Sequence, residues 1–443
     1  MPLAPPTIDR VDDIVRRAQA DCRAPALIAA IVRDGEVAHV SAAGDQPVPH
    51  RELQFRLGSI TKSLTAAVVL GLRDEGRLDL DDRLGDHLSG LAPEVGRARL
   101  RQLLGHAAGL QREPDGPWWE RHAGGSVPDL LAGVGPHKVA FGPYARFHYS
   151  NLAYGLLGAL VEHHTGQTWF DAVRERLLQP LGLGRTTYQA TEPFARGYVV
   201  HPYHRTLHEE PRHDAGAMAP AGQLWSTIDD LARWAAELGG AGRVLSRATV
   251  AELAHPVTIA DPDGWTGGYG LGLQLWRSGD RVLIGHTGSM PGYLAVVVVH
   301  RPSGTGALAL ANTYSLPGLG IGRLGLSLVD AVLDAEPPAP AAAWQPAPAL
   351  PDDVAPLCGR WWWMGREYLV SYVDGGLDMG PVGPPGDRWR FTPEGPDRWR
   401  GQLGEQIGEV LTVLRDRSDT GSAGAVVGLD VATFVFRREP LAD

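Results

Sequence analysis

Residues 55–76 constrain the fold more than any other stretch, because a short strand, a turn and an apolar helix follow one another without a spacer. Phe55 to Leu57 has strand character and Gly58 permits a turn. Leu64, Val68, Val69 and Leu72 then recur at helical spacing as far as Gly76. Ser59 therefore opens a helix, and residues three apart share a helix face, so the Lys62 amine is expected beside the Ser59 hydroxyl. A serine hydroxyl is a poor nucleophile until a base removes its proton. Lysine can do so only when neutral, and burial and the positive end of the helix dipole both favour that form.

Composition bears on the same residue. The chain has 41 Lys plus Arg, of which only Lys62 and Lys138 are lysines, leaving 41 − 2 = 39 arginines. Arginine effectively never loses its proton, whereas lysine shifts readily when buried. Lysine is thus retained where arginine would fail as a base. Taken alone, S-x-x-K reads equally as a helix N-terminus with a surface lysine.

The remaining bulk properties set limits. A length of 443 residues accommodates two or three domains, and 44% hydrophobic content supports real cores. The N-terminal stretch reaches Asp9 and Arg10 before any long apolar run, and no segment has transmembrane length, so a cytoplasmic protein without membrane partners is expected. Cys22 and Cys358 are too few for a disulfide framework, which fits a reducing compartment. A net charge of −10 argues against nucleic acid as the main partner.

In chain order, Thr7 is expected to cap a helix with apolar positions Ile8, Val11, Val15 and Ala18, ending before Pro25. Residues 26–33 and 36–42 flank Asp34-Gly35, a strong hairpin signal. A second polar cluster, Tyr149-Ser150-Asn151, stands at the entrance of a helical run from Leu152 to His163. Strands return at residues 281–284, 293–300 and 307–311, so the outer elements are expected to form one antiparallel sheet with the helical middle inserted. Residues 336–351 are rich in Pro and Ala, as a semi-rigid linker is. Beyond them, β-type runs at 368–373, 410–415 and 432–437, with Trp361, Trp362, Trp363, Trp389 and Trp399, suggest a small β domain or barrel.

Ser59-x-x-Lys62, Tyr149-Ser150-Asn151 and Gly285-His286-Thr287-Gly288-Ser289 resemble, in order and context, the motifs of the penicillin-binding protein and class C β-lactamase superfamily. Residues 75–78, the segment around His106 and residues 269–272 look similar too. The resemblance covers roughly residues 7 to 335 and implies an α/β fold of the β-lactamase/transpeptidase type, an antiparallel sheet flanked by helices plus a helical subdomain. Residues 1–335 are expected to be that catalytic domain and 336–351 the linker, and 352–443 are expected to be a lipocalin-like β-barrel domain, as a narrower resemblance implies.

Carried over residue by residue, the resemblance implies that Ser59 attacks an acyl carbon with Lys62 as its base. Tyr149, held by Lys62 and Asn151, relays protons. The N–H groups of Ser59 and Ser289 form the oxyanion hole. His286 stands where many relatives have lysine and could position substrate or tune Tyr149. Which base activates the serine differs between accounts of the wider superfamily.

A narrower resemblance, carried by residues 216–227, Ser289-Met290-Pro291-Gly292-Tyr293 and the C-terminal β domain, is to penicillin-binding-protein-type thioesterases. It implies a trans-acting thioesterase that takes a peptidyl thioester from a peptidyl carrier protein of a nonribosomal peptide synthetase. The enzyme would release it as a head-to-tail macrolactam, favouring a D C-terminal residue, without cofactor or metal. Trp225 is then either a wall of the C-terminal-residue pocket or a core tryptophan. Arg438 either reaches the cleft or is a solvated edge-strand charge. The alternatives are a cytoplasmic serine hydrolase of the same fold (esterase, D-peptidase or weak β-lactamase) and a non-catalytic binding protein. The intact Ser59, Lys62 and Tyr149 speak against a binder. The histidines between residues 201 and 213 lack zinc-protease spacing, and residues 320–325 match a dinucleotide pattern but lead into the proline linker.

Overall fold

Strand 26–33 is apolar at every position but its last, and both of its faces are covered. In the computed structural model, which describes residues 2–45, 49–314, 320–337, 346, 349–383, 388–416 and 424–440, it occupies the interior of an eight-stranded sheet. Leu27, Ala29 and Ile31 face one core with Val11 and Val15 of helix Pro5–Cys22 and with Leu324, Leu328 and Val332 of helix Ile321–Ala335. Ile28, Ala30 and Val32 face the other core, which contains helix Thr61–Asp74. Alternate side chains of a strand point to opposite faces, so one apolar run serves two cores.

The sheet runs in the order Glu36–Gly44, Ala26–Arg33, Thr305–Ala311, Tyr293–His300, Arg281–Met290, Gln274–Ser278, Gly267–Tyr269 and Thr258–Ile259. Every neighbouring pair is antiparallel. N- and C-terminal strands pair at Leu27 with Ala311, so the helical middle is an insertion, as expected. The last three strands of the order are additional to those read from the sequence. In the hairpin turn Asp34 (φ 52°) and Gly35 (φ 80°) are both left-handed, as a two-residue turn matching the strand twist requires.

One expectation at the N-terminus needs correction. The first helix starts at Pro5 with Ala4 as an extended cap, two residues before Thr7, which is buried within the helix. Proline's fixed φ suits the first turn and costs no hydrogen bond there, so Pro5 and not Thr7 sets the start. Ser150 does cap helix Asn151–Thr165: its Oγ accepts from Ala153 N at 3.1 Å.

The chain divides into units Met1–Ala339 and Pro340–Asp443, with the boundary inside the expected linker, most of which lies outside the described residues. The second unit is a meander of eight antiparallel strands from Gly359–Trp363 to Phe434–Phe436 in sequence order. Trp362 and Arg437 exchange backbone hydrogen bonds of 2.8 and 2.9 Å, which ties the first strand to the end of the last and nearly closes a barrel. The expected strand 432–437 starts later: Ala432 (φ 49°) and Thr433 (φ 77°) form a turn between Val426–Val431 and Phe434–Phe436. Neither residue is the Gly or Asn that marks such turns in a sequence.

Trp361 is fully buried in the barrel core, donates from Nε1 to Leu357 O at 2.7 Å, and carries the Arg438 guanidinium 3.8 Å from its ring centroid. Trp361→Ala should destabilise this unit by about 3–5 kcal/mol. Denaturant titration followed by tryptophan fluorescence would measure this, and a loss under 1 kcal/mol would show that the barrel does not depend on it.

Candidate active site

The site begins with a crossing of backbones. Phe55–Arg56 pairs with Trp225–Ser226, and Leu57 N donates to Leu224 O at 2.7 Å. Gly58, at φ 54°, then turns the chain into a single 3-10 turn, Gly58–Ile60, and the α-helix proper starts at Thr61. Ser59 thus lies in the tight turn before the helix. In a 3-10 turn residues three apart eclipse, which brings the Lys62 side chain onto Ser59. Lys62 Nζ donates to Ser59 Oγ at 2.9 Å and to Ala221 O at 2.6 Å.

Electrostatics give the two candidate bases different roles. Lys62 is 0% exposed, and burial pulls its pKa from 10.5 down to about 7, partly offset by the negative charges of Glu113 and Glu120. Its neutral form is therefore available near neutral pH. Burial pushes the Tyr149 phenol well above its usual range, while its hydrogen bond with Ser59 works the other way. Tyr149 is accordingly a neutral hydroxyl in the resting site, suited to relaying a proton, and Lys62 is the base. The Lys62 nitrogen lies 5.0 Å from the Tyr149 ring centroid.

Asn151 joins the cluster through a different partner than the resemblance implies. Its Nδ2 donates to Glu113 Oε1 at 2.8 Å, and its Oδ1 is buried without a hydrogen-bond partner among the described residues. His106, buried at φ 55°, accepts from Ser150 N at Nδ1 (3.0 Å) and packs its ring 4.2 Å from that of Tyr149. It thereby fixes the segment that carries Tyr149.

His286 is also buried, its Nδ1 lying 2.5 Å from Thr287 O and its Nε2 2.8 Å from Tyr269 Oη. A carbonyl can only accept, so Nδ1 carries the proton and Nε2 accepts from Tyr269. Burial, aided by the Lys62 charge, drops its pKa to about 3. His286 is therefore neutral, and it supplies no positive charge to the site.

The expected oxyanion donors are neighbours. A Cβ on Gly58 would lie 2.5 Å from Ser289 N, and one on Gly288 would lie 1.8 Å from Leu57 O. Two facing glycines let the nucleophile turn press against strand Arg281–Met290, bringing the Ser59 and Ser289 backbones together. Trp225, 2% exposed, is packed edge-on against Tyr293 at 5.1 Å and Phe194 at 5.9 Å, as a core tryptophan is. It also borders a cleft lined by Glu209, Arg212, His213 and Gln223. Within the second unit, Arg438 donates to Arg360 O at 2.9 Å and Cys358 O at 3.0 Å while stacking on Trp361.

Three residues around the site are additional to those read from the sequence. Glu113 holds Asn151 and accepts from Trp119 Nε1 at 2.8 Å. Burial, with the Glu113 charge adding to it, raises the Glu120 pKa to about 7. Arg56 is buried, donates to Gln223 Oε1 at 3.1 Å and to His213 O at 3.2 Å, and burial lowers its pKa to about 10, which leaves it charged at neutral pH. The loop bearing both glutamates is pinned by the other lysine, buried Lys138, whose Nζ reaches Asp115 Oδ1 (2.5 Å), Glu113 O (3.2 Å) and Gln111 Oε1 (3.2 Å). The only sequence signal was an acidic pair flanking Trp118-Trp119. Among the described residues no group of His, Cys, Asp or Glu is arranged to hold a metal ion, and no helix is long and apolar enough to cross a membrane.

A nucleophile touching a neutral base, a neutral hydroxyl relay and two adjacent backbone donors form a set suited to acyl transfer. Comparison with known proteins agrees. Residues 11–325 match the family model described as Beta-lactamase, and residues 350–438 match a domain of unknown function, DUF7586. Penicillin-binding protein 4 of Amycolatopsis lactamdurans is 30% identical over 76% of this chain and 93% of its own length. A D-stereospecific amidohydrolase from Streptomyces superposes with a TM-score of 0.62 at 28% identity, over 75% of this chain and 99% of that one. SurE superposes with a TM-score of 0.61 at 25% identity, over 98% of this chain and 99% of that one. With its β-lactamase/transpeptidase-like fold and additional C-terminal barrel, the chain belongs to the Beta-lactamase family and is a serine hydrolase-type enzyme of the β-lactamase and penicillin-binding-protein superfamily.

Proposed function

We propose that the enzyme is a thioesterase that loads a peptidyl thioester onto Ser59 and releases the peptide by attack of its own amino terminus, forming a macrolactam. The donor is a peptidyl carrier protein of a nonribosomal peptide synthetase, in the cytoplasm. Lys62 takes the Ser59 proton, and Tyr149 passes a proton to the departing thiol. The amine then attacks the ester carbonyl, returns a proton through Tyr149, and frees Ser59. The observation that carries the choice of an amine over water is the acidic pair beside the base: the charges of Glu113 and Glu120 act on both Lys62 and Tyr149. Arg112 pairs with Glu113 at 3.1 Å and lies over the Tyr149 ring, which leaves Glu120, poised at about 7, as the group matched to accept the proton of an ammonium. A preference for a D residue at the acylated position is supported by the similarity to the D-stereospecific amidohydrolase. That same similarity favours a second reading, in which water releases the acyl group.

The test is a synthetic peptidyl thioester with a D C-terminal residue and a free amino terminus. Cyclisation gives a Ser59-dependent adduct by intact-protein mass spectrometry and a product one water lighter than the linear acid. Linear acid alone from a series of such peptides would establish the hydrolase reading instead.

The rate constant for acylation should rise about tenfold per pH unit below 7 and level off above it, because Lys62 acts as a base only after losing the proton it holds up to about pH 7. Stopped-flow acylation with a non-ionisable acyl donor would check this. A flat profile between about pH 5 and 9 would remove Lys62 as the base.

A further inference from the structure

A cavity of about 560 Å³ borders the active site. Two of its lining residues, Gln223 and Trp225, flank Leu224, whose carbonyl accepts from Leu57 N two residues before Ser59. The lining is charged, and its charges do not cancel. Glu209 accepts from Arg196 Nη1 at 3.0 Å. Glu210 pairs with Arg121, and its other oxygen is sealed from solvent. Asp214 accepts from Tyr188 Oη at 2.5 Å and from Gly216 N at 2.8 Å, and its charge acts on buried Arg56. Each lining carboxylate is thus matched by an arginine. Arg212 is the one left over: it lines the same cavity, and no described residue forms a hydrogen bond or ion pair with it. Its guanidinium carbon lies 4.4 Å from the Phe194 ring centroid, and Phe194 packs edge-on against Trp225 at 5.9 Å. A guanidinium resting one face on a ring keeps its N–H edges free, and that planar fork fits a carboxylate through two parallel hydrogen bonds. A fixed, unpaired cation among neutralised carboxylates selects an anionic occupant.

We propose that this cavity is the subsite for an acidic side chain of the peptide carried on Ser59, with its carboxylate paired to the Arg212 guanidinium. Once the peptide is joined to Ser59 its C-terminal carboxyl is the ester itself, so the anion that Arg212 meets comes from a side chain. The volume falls in the range of ligand pockets, roughly 300–1,000 Å³, which is room for that side chain and the backbone that carries it. The short path through Leu224 puts the acidic residue near the acylated end of the peptide. The inference rests on the peptidyl nature of the acyl group and holds whether an amine or water releases it.

The test uses the full chain carrying Ser59→Ala, so that no probe is turned over. The probes are tetrapeptides ending in D-alaninamide, with an uncharged fluorophore at the amino terminus and either Glu or Gln at one of the other positions. Fluorescence anisotropy gives their affinities. At one position the Glu peptide should bind roughly threefold to tenfold more tightly than its Gln partner, as one ion pair allows, and the difference should shrink as salt is added. Arg212→Gln should level that pair. Arg212→Glu should turn the preference toward a Lys peptide at the same position, a gain that misfolding cannot produce. Equal affinities within every pair, a Glu preference that survives Arg212→Gln, or no binding by any probe would overturn the subsite. Because these probes are amides on an inactive enzyme, a thioester that fails to load Ser59 would overturn the proposed function and leave this result standing.

Discussion

Lys62→Met should abolish most catalysis and stabilise the protein. Without a base at Ser59 Oγ, kcat/KM should fall by roughly four to six orders of magnitude, the range seen when a nucleophile–base unit is broken. The stability gain follows from burial. The Lys62 pKa falls from 10.5 unfolded to about 7 folded, so between those values the unfolded chain binds more protons and stability rises with pH. The full window is worth roughly 5 kcal/mol, all of it missing at low pH. Methionine has nothing to titrate there, although Ala221 O loses its donor at 2.6 Å, a loss of about 1–3 kcal/mol. A net gain of about 1–3 kcal/mol at pH 7 is expected, together with loss of the pH dependence between 7 and 10.5. Denaturant melts of both forms at pH 7 and 10 would measure it. A variant less stable than the parent at pH 7 would show that Lys62 is held charged, and the mechanism would need another base.

Gly58→Ala is expected to damage the site through backbone alone. The new methyl would lie 2.5 Å from Ser289 N and 2.8 Å from Ser289 O, and the residue already sits at φ 54°. Neither contact is a flexible side chain that could swing away, so the nucleophile turn and strand Arg281–Met290 must separate. Left-handed φ adds about 1–2 kcal/mol for a residue with a Cβ. Misplacing one oxyanion donor typically lowers kcat by roughly 10² to 10³. We expect that loss with KM changed little, and with Lys62 still titrating near 7 in the acylation profile. A Gly58→Ala enzyme with full kcat would mean that Ser289 N is not an oxyanion donor.

How far the chain could be read from its sequence differed by element, for physical reasons. The Asp34-Gly35 hairpin with its strand 26–33 and the Ser59–Lys62 pair rest on local rules: turn geometry and i, i+3 spacing. The same locality misplaced the first helix start, where Pro5 outweighed Thr7. It also missed the turn at Ala432 and Thr433, two residues that adopt positive φ because the barrel requires it. Glu113 and Glu120 were legible only as acidic residues near Trp118-Trp119, with nothing to place them beside Lys62. They sit in a Pro- and Gly-rich loop without periodicity, and their closeness to Lys62 depends on tertiary anchors such as Lys138. His286 was found by its motif, but its neutrality follows from burial, Thr287 O and Tyr269. No spacing rule carries that information.

The burial of both lysines has a consequence for the protein's exterior. On the proposed function the substrates are thioesters, which acylate exposed amines without any enzyme, so a surface lysine would be open to modification by them. This surface offers arginine, which stays protonated and is a poor acyl acceptor, while Lys62 and Lys138 are 0% and 1% exposed. Folded, the chain presents no lysine to amine-directed reagents, so acylation of either lysine would report that the catalytic unit had opened.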